Sequence, residues 1–256
     1  METGCRRAIL FLLFSPLFGT GFAQTETPVK VDKPLKSYSH WYFGAEYGVP
    51  FLFGDFTSFS ADKTYVGSQF GGFAGYQVNS WIGIEASART GYTRMGAKSY
   101  AGDYLMNADG MTYYTNQDFN TWKYKDVFSK VHFTNIGLQM NLNVNNFFGP
   151  NRGNRRWTVL LSPAVYAQHF STELINKADK SPLSGKKTDK WNIGIGGDVS
   201  LRYKISRAFD VQLRTGIIWV NNNKMDGIST LIKSKDHFMT SAGLSLIWKV
   251  GKKKED

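Results

Sequence analysis

The chain has 256 residues, a formal net charge of +11, 26 glycines and a single cysteine, with 42% hydrophobic and 15% aromatic residues. That length supports one or two domains with a sizeable core, and the aromatic content excludes disorder throughout. Helices that cross a membrane are excluded as well, because the one long apolar run, Ala8 to Phe18, is about half of the roughly 20 residues a spanning helix needs.

Residues 1–23 read as a secretory signal. Arg6 and Arg7 precede the apolar stretch, and Gly21-Phe22-Ala23 supplies a small-residue cleavage site before Gln24. Cys5 lies ahead of the apolar region, so it is no lipoprotein acceptor. Its removal leaves a mature chain without cysteine, which excludes disulfides and thiolate metal sites. Residues 24–39 are polar, carry Pro28 and Pro34, and read as a flexible periplasmic leader.

From Trp41 onward the hydrophobic period is 2. Eight segments alternate: Trp41–Tyr47, Phe70–Val78, Ile82–Tyr92, Ile136–Leu142, Trp157–Ala167, Ile193–Tyr203, Phe209–Trp219 and Phe238–Trp248. One parity carries no charged residue in any of them. The other carries Glu46, Glu85, Arg89, Asp198, Arg202, Asp210, Arg214 and Lys249, together with many glycines. Four acids face four bases. Aromatic residues gather at segment ends, as they do at the boundary between lipid and water. Connections alternate in length. Asn79-Ser80 and Ile205–Ala208 are tight, and residues 143–156 are longer but rich in turn residues. Pro50–Ser68, Thr93–Asp126, Ser171–Lys190 and Asn221–Asp236 are long, so all the long loops fall at one end of an antiparallel meander.

A strand in hydrocarbon cannot leave backbone groups unpaired, so a spanning sheet closes on itself. Eight strands enclose an interior that side chains just fill. The fold expected is therefore all-β, an eight-stranded antiparallel up-and-down transmembrane β-barrel over residues 40–250, followed by a charged tail at 251–256. Inward glycines make room for Tyr42, Phe73 and Tyr166, and the eight charged residues form an interior ion-pair network across strands. Pro163 lies mid-strand, where a bulge or a shifted register is expected.

The signal, the alternating segments and the last strand, Leu244–Val250, resemble the small outer-membrane barrels typified by OmpA and OmpX. Phe70-Gly-Gly-Phe-Ala-Gly-Tyr76 and Trp191-Asn-Ile-Gly-Ile-Gly-Gly-Asp198 are similar to the "porin family" or PorT-like barrels of Bacteroidetes. The resemblance implies residence in the outer membrane and assembly by the barrel-insertion machinery. The chain departs from it by adding Gly-Lys-Lys-Lys-Glu-Asp after Val250, and direct anchoring through a peptidoglycan-binding domain after the barrel is not expected.

Little in the sequence points to catalysis. His169-Phe-Ser171-Thr-Glu173 is similar to the His-x-Ser piece of outer-membrane lipid A deacylases. An orienting carboxylate and an oxyanion hole are not evident, however, so no enzyme and no catalytic residue are expected. His40, His132 and His237 lack metal-ligand spacing, and Asp103, Asp109, Asp118 and Asp126 are too dispersed for a calcium loop; no metal or cofactor is expected. Residues 100–124 are rich in Tyr, Asn and Gly, which suits either a binding loop or one packed on its own aromatics. The basic loops carry no groove-reading motif, so nucleic acid is not a partner. Lys186, Lys187 and Lys190 are instead candidates for contact with lipopolysaccharide phosphates. The function expected is structural or adhesive, through the outer loops. The alternatives are an accessory subunit of a larger membrane complex, whose partner would approach at Gly72 and Gly197, and a lipid A hydrolase.

Overall fold

A computed structural model describes residues 40–59, 64–97, 105–107, 112–113, 121–148, 155–183, 188–221, 225–228 and 237–250. The segments read as signal, leader and charged tail lie outside these residues. In chain order the strands are β1 (His40–Phe53), β2 (Ser68–Gln77), β3 (Ile82–Gly96), β4 (Leu105–Asn107), β5 (Thr112–Tyr113), β6 (Thr121–Lys123), β7 (Val127–Asn143), β8 (Trp157–Asn176), β9 (Thr188–Lys204), β10 (Phe209–Val220) and β11 (His237–Val250). A 3-10 turn at Tyr124–Asp126 and a helical turn at Val144–Phe147 complete the described elements.

Eight of these strands form one closed antiparallel barrel in the order β1-β2-β3-β7-β8-β9-β10-β11, with β11 pairing back onto β1. Stepping through paired residues from Phe43 leads to Ala74, Ala86, Leu138, Val165, Ile195, Trp219 and Phe238, and re-enters β1 at Phe53. One circuit therefore climbs ten residues. With a rise of about 3.3 Å and a spacing of about 4.8 Å, that stagger tilts the strands by about 40°.

The outward residues are apolar and exposed, among them Phe43, Tyr47, Phe70, Ile84, Ile136, Leu138, Val165, Ile195, Leu213, Leu244 and Leu246. Rings border this band on both sides. At the tight-turn end Trp41 meets Tyr76 at 5.1 Å, Trp157 meets Tyr203 at 4.6 Å and Phe43 meets Trp248 at 6.4 Å between centroids. At the other end Phe53 stacks on Phe238 at 4.6 Å, and Trp219 is paired with Phe238. From Phe209 to Trp219 the strand advances about 33 Å, which the tilt reduces to about 25 Å, the height of a lipid-facing band.

Pro163 produces neither a bulge nor a shifted register. The β8–β9 pairing runs continuously through Pro163↔Gly197. On the other side the β7–β8 pairing lapses opposite Pro163 and Ser162 and resumes in the same register at Leu142↔Leu161. Proline has no N–H to donate there. Ser162 Oγ instead donates to Asn141 Oδ1 at 2.6 Å, so a side-chain bond spans the lapse.

Five strands reach further on the long-loop side than the alternation suggests, β1 to Phe53 and β3 to Gly96 among them. β7 starts at Val127 rather than near Ile136. β8 continues to Asn176, through the stretch read as loop from Ser171, and β9 begins at Thr188. In the extensions of β7 and β8 the polarity inverts. Val127, Val131 and Phe133 of β7 point inward and are buried, while Lys130, His132 and Thr134 point outward. On β8, Phe170 and Leu174 are inward and buried, while His169, Ser171 and Glu173 face out. Where water rather than lipid meets the outside, apolar residues gain by turning inward.

The connection between β3 and β7, which reads as loop in the sequence, holds a small sheet in the order β5-β4-β6. Met106 of β4 and Tyr124 are buried in the apolar core of the loop-side half, and Trp122 packs against it.

Candidate functional site

The glycines that line the interior set the positions of its rings. An added Cβ would fall 2.2 Å from Phe73 at Gly44, 2.1 Å from Tyr42 at Gly75 and 2.5 Å from Tyr166 at Gly137. Each ring therefore lies over the glycine paired with it on the neighbouring strand.

Five of the eight charged residues form one cluster in the membrane-level half. Arg89 Nε lies 3.2 Å from Glu46, and its Nη2 donates to Asp198 Oδ2 at 3.2 Å. Arg214 reaches Glu85 at 2.7 Å, Glu46 at 3.4 Å and Asp198 at 3.9 Å. Glu85 also accepts from Tyr42 Oη at 3.0 Å, from Gln139 Nε2 at 3.0 Å and from Asn141 Nδ2 at 3.0 Å. Ser245 Oγ donates to Glu46 at 3.2 Å. All five side chains are at most 3% exposed. The interior is plugged at this level.

The other three charged residues stand apart from the cluster. Lys249 Nζ donates to Asp210 Oδ1 at 2.6 Å near the tight turns. Arg202 donates to Gln212 Oε1 at 2.9 Å and lies over the Tyr42 ring at 5.1 Å. Lys190 is exposed at the start of β9, while Lys186 and Lys187 lie outside the described residues.

The loop-side half is filled differently, by apolar residues and by loop segments. Leu52, Phe56, Met95, Val131, Met225, Ile228 and Met239 are all buried there. The segment Met225–Ile228, between β10 and β11, is held in the barrel mouth. Thr172 Oγ1 of β8 donates to the Met225 carbonyl at 2.6 Å, and Ser129 Oγ of β7 donates to the Asp226 carbonyl. Gly227 supplies the positive φ of +78° that the turn requires. The Asp226 carboxylate accepts from the backbone N–H of Phe56 at 3.0 Å and of Ile228 at 3.0 Å, so it ties the β1–β2 connection to the β10–β11 connection. Burial pushes its carboxyl up to about 6, against the pull of those N–H donors.

A further grouping here escapes a reading by sequence spacing. His237, which opens β11, is fully buried with Nε2 at 3.6 Å from Asp226 and 4.0 Å from Asp55. Residues 55, 226 and 237 are far apart in the chain, and closure of β11 onto β1 brings them together. Their signal is present in the sequence only as Asp55 two residues after β1 and His237 at the head of the last strand.

Of the other histidines, His40 shares the inward parity of β1 with Tyr42, their ring centroids 6.5 Å apart, while His132 and His169 lie on the outside. His169 Nε2 contacts Asp189 Oδ1 across β8 and β9, and the pair is partly exposed. Among the described residues no hydrogen bond links Ser171 to His169. His132 lies against Tyr92 with centroids 6.1 Å apart.

No protein-family model and no curated protein matches the sequence. Solved structures do match in outline. Neisserial surface protein A is 11% identical with a TM-score of 0.46, covering 82% of this chain and 97% of that one. Ail, the attachment invasion locus protein of Yersinia pestis, is 10% identical with a TM-score of 0.43, covering 83% and 99%. A major outer membrane protein from Thermus thermophilus is 12% identical with a TM-score of 0.47, covering 82% and 99%.

Proposed function

We propose that the protein is a non-enzymatic outer-membrane barrel with a filled interior, whose work is structural or adhesive through the connections at its long-loop end. The observation that carries this reading is the outer surface. A closed sheet leaves no backbone edge to solvate, and its outward residues form an uncharged band about 25 Å high between two sets of rings. Water would not favour so continuous an apolar exterior, whereas lipid would. On this reading the N-terminus and the tight turns face the periplasm, the barrel-insertion machinery assembles the chain, and Lys186, Lys187 and Lys190 meet lipopolysaccharide phosphates.

The test is gel migration of the membrane fraction with and without heating, combined with surface proteolysis of whole cells. A heat-dependent shift is expected, with cuts confined to the β3–β7 connection while the strands survive. A processed chain that stays monomeric in buffer without detergent overturns the reading.

A second reading rests on the small outward residues of β1 to β3. Ala45, Gly72 and Ala88 are paired in a row, beside Ala74 and Ala86. Such a flat patch admits close approach of another membrane element, as an accessory subunit would require. Cross-linking in native membranes separates the two, because a single dominant adduct favours the accessory role.

A further inference from the structure

Asp55, Asp226 and His237 offer one oxygen, one oxygen and one nitrogen, all within 4.8 Å of one another. From these donors we propose a binding site for a divalent transition cation of the zinc class, placed where the first and last strands close the loop-side mouth of the barrel. It goes beyond the reading above, which assigns this mouth no ligand.

The distances fit. Bonds of about 2.0–2.2 Å in a tetrahedral site separate its ligand atoms by roughly 3.3–3.6 Å. His237 Nε2 stands 3.6 Å from Asp226 and 4.0 Å from Asp55, and all three ligand atoms lie within 4.8 Å of one another, so side-chain shifts of about an ångström or less bring the three onto one ion. The donor chemistry selects the ion. One imidazole with two carboxylates suits zinc and its neighbours, whereas calcium and magnesium favour all-oxygen sets.

Gly54 provides an independent observation. A Cβ there would stand 2.7 Å from His237 Nε2 and 3.0 Å from Asp226 Oδ2, so glycine keeps open the space that these two donors face. Asp226 is also oriented in advance by the N–H groups of Phe56 and Ile228, as ligating carboxylates commonly are. The surroundings are apolar, with Leu52, Phe56, Met225 and Ile228 fully buried, while Asp55 is partly buried. Two carboxylates gathered in such a place are suited to a cation that balances their charge. Bound there, it would pin the β1–β2 connection, the β10–β11 connection and the head of β11 to each other.

The experiment uses untagged, full-length processed protein, folded in detergent and stripped with chelator, then titrated with zinc chloride by calorimetry and metal analysis. One zinc per chain is expected, with calcium and magnesium failing to compete. His237→Gln and Asp226→Asn each weaken binding about a hundredfold or more, since losing even a group that orients a ligand costs about 10–100-fold. Gly54→Ala keeps all three donor residues in the chain but sets a methyl group against His237 and Asp226, which displaces them and fills the cradle, and it also abolishes binding. His169→Gln, which alters the exposed pair with Asp189, leaves binding unchanged. Each variant is first required to show the folded, heat-shifted band. If a ligand variant fails to fold, cobalt substitution of the wild type decides: intense visible bands of tetrahedral cobalt support the site, and octahedral spectra overturn it. Folded wild type that retains no zinc, or binding unaffected by His237→Gln and Gly54→Ala, also overturns it.

Discussion

A Cβ at Gly75 would fall 2.1 Å from Tyr42 Cζ, so the hydroxyl of Tyr42 reaches Glu85 only because the neighbouring strand offers no side chain at that point. Gly75→Ala is expected to displace the ring and lower stability by about 1–3 kcal/mol, the usual range for overpacking. Urea unfolding from lipid vesicles measures it. The cluster around Arg214 follows a different logic. Three carboxylates, Glu46, Glu85 and Asp198, share two guanidinium groups, Arg89 and Arg214. Removing Arg214 leaves buried acids without their cation, which costs about 3–5 kcal/mol. Arg214→Met is therefore expected to destabilise strongly, and Arg214→Met combined with Glu85→Gln to destabilise less than the single change. A double change that costs as much as the two singles added together would mean the pair is not coupled. On the outside, reversing the charge of Lys186, Lys187 and Lys190 is expected to lower the lipopolysaccharide retained on purification, measured against wild type.

Single strands carry two opposite polarity codes. Along β7 the inward residues pass from Val131 and Phe133 to Asn135, Gln139 and Asn141, while the outward ones pass from Lys130 and His132 to Ile136 and Leu138. The crossover marks where the outer solvent changes from water to hydrocarbon. Leu138→Arg is expected to cost about 2–4 kcal/mol on folding into vesicles. His132→Arg, six residues away on the same face, should stay within about 0.5 kcal/mol, as surface changes usually do. The same crossover explains which parts of the fold are legible in the sequence. Ile136–Leu142 announces itself because every second residue is apolar and faces lipid. Residues 127–134 escape notice because a reading tuned to one apolar parity loses the signal when the parity flips. The short strands β4 to β6 have two or three residues each, too few for any period to register.

For the molecule as a whole, the membrane-level charges are legible as a set because they all sit on the glycine-bearing parity. Their grouping is not. Neither the separation of Asp210–Lys249 and Arg202 from the central five nor the meeting of Asp55 with Asp226 and His237 follows from spacing along any one strand, because both depend on the ten-residue stagger of the circuit. Among the described residues, the interior is occupied by the buried ion cluster at one level and by Phe56, Met225 and Ile228 at the other, which argues against a wide aqueous path. Planar-bilayer recordings of the folded protein are accordingly expected to lack the steady open level of a diffusion porin, and a stable ohmic conductance would count against the filled interior.

The seam between β1 and β11 joins residues about two hundred positions apart, from Trp41↔Val250 to Phe53↔Phe238. No intermediate length of chain can finish the cylinder. A polypeptide released before residue 237 keeps two raw edges, one on β1 and one on β10, each ready to template aggregation. Completion is thus a terminal, whole-chain event with the slow kinetics of distant pairing.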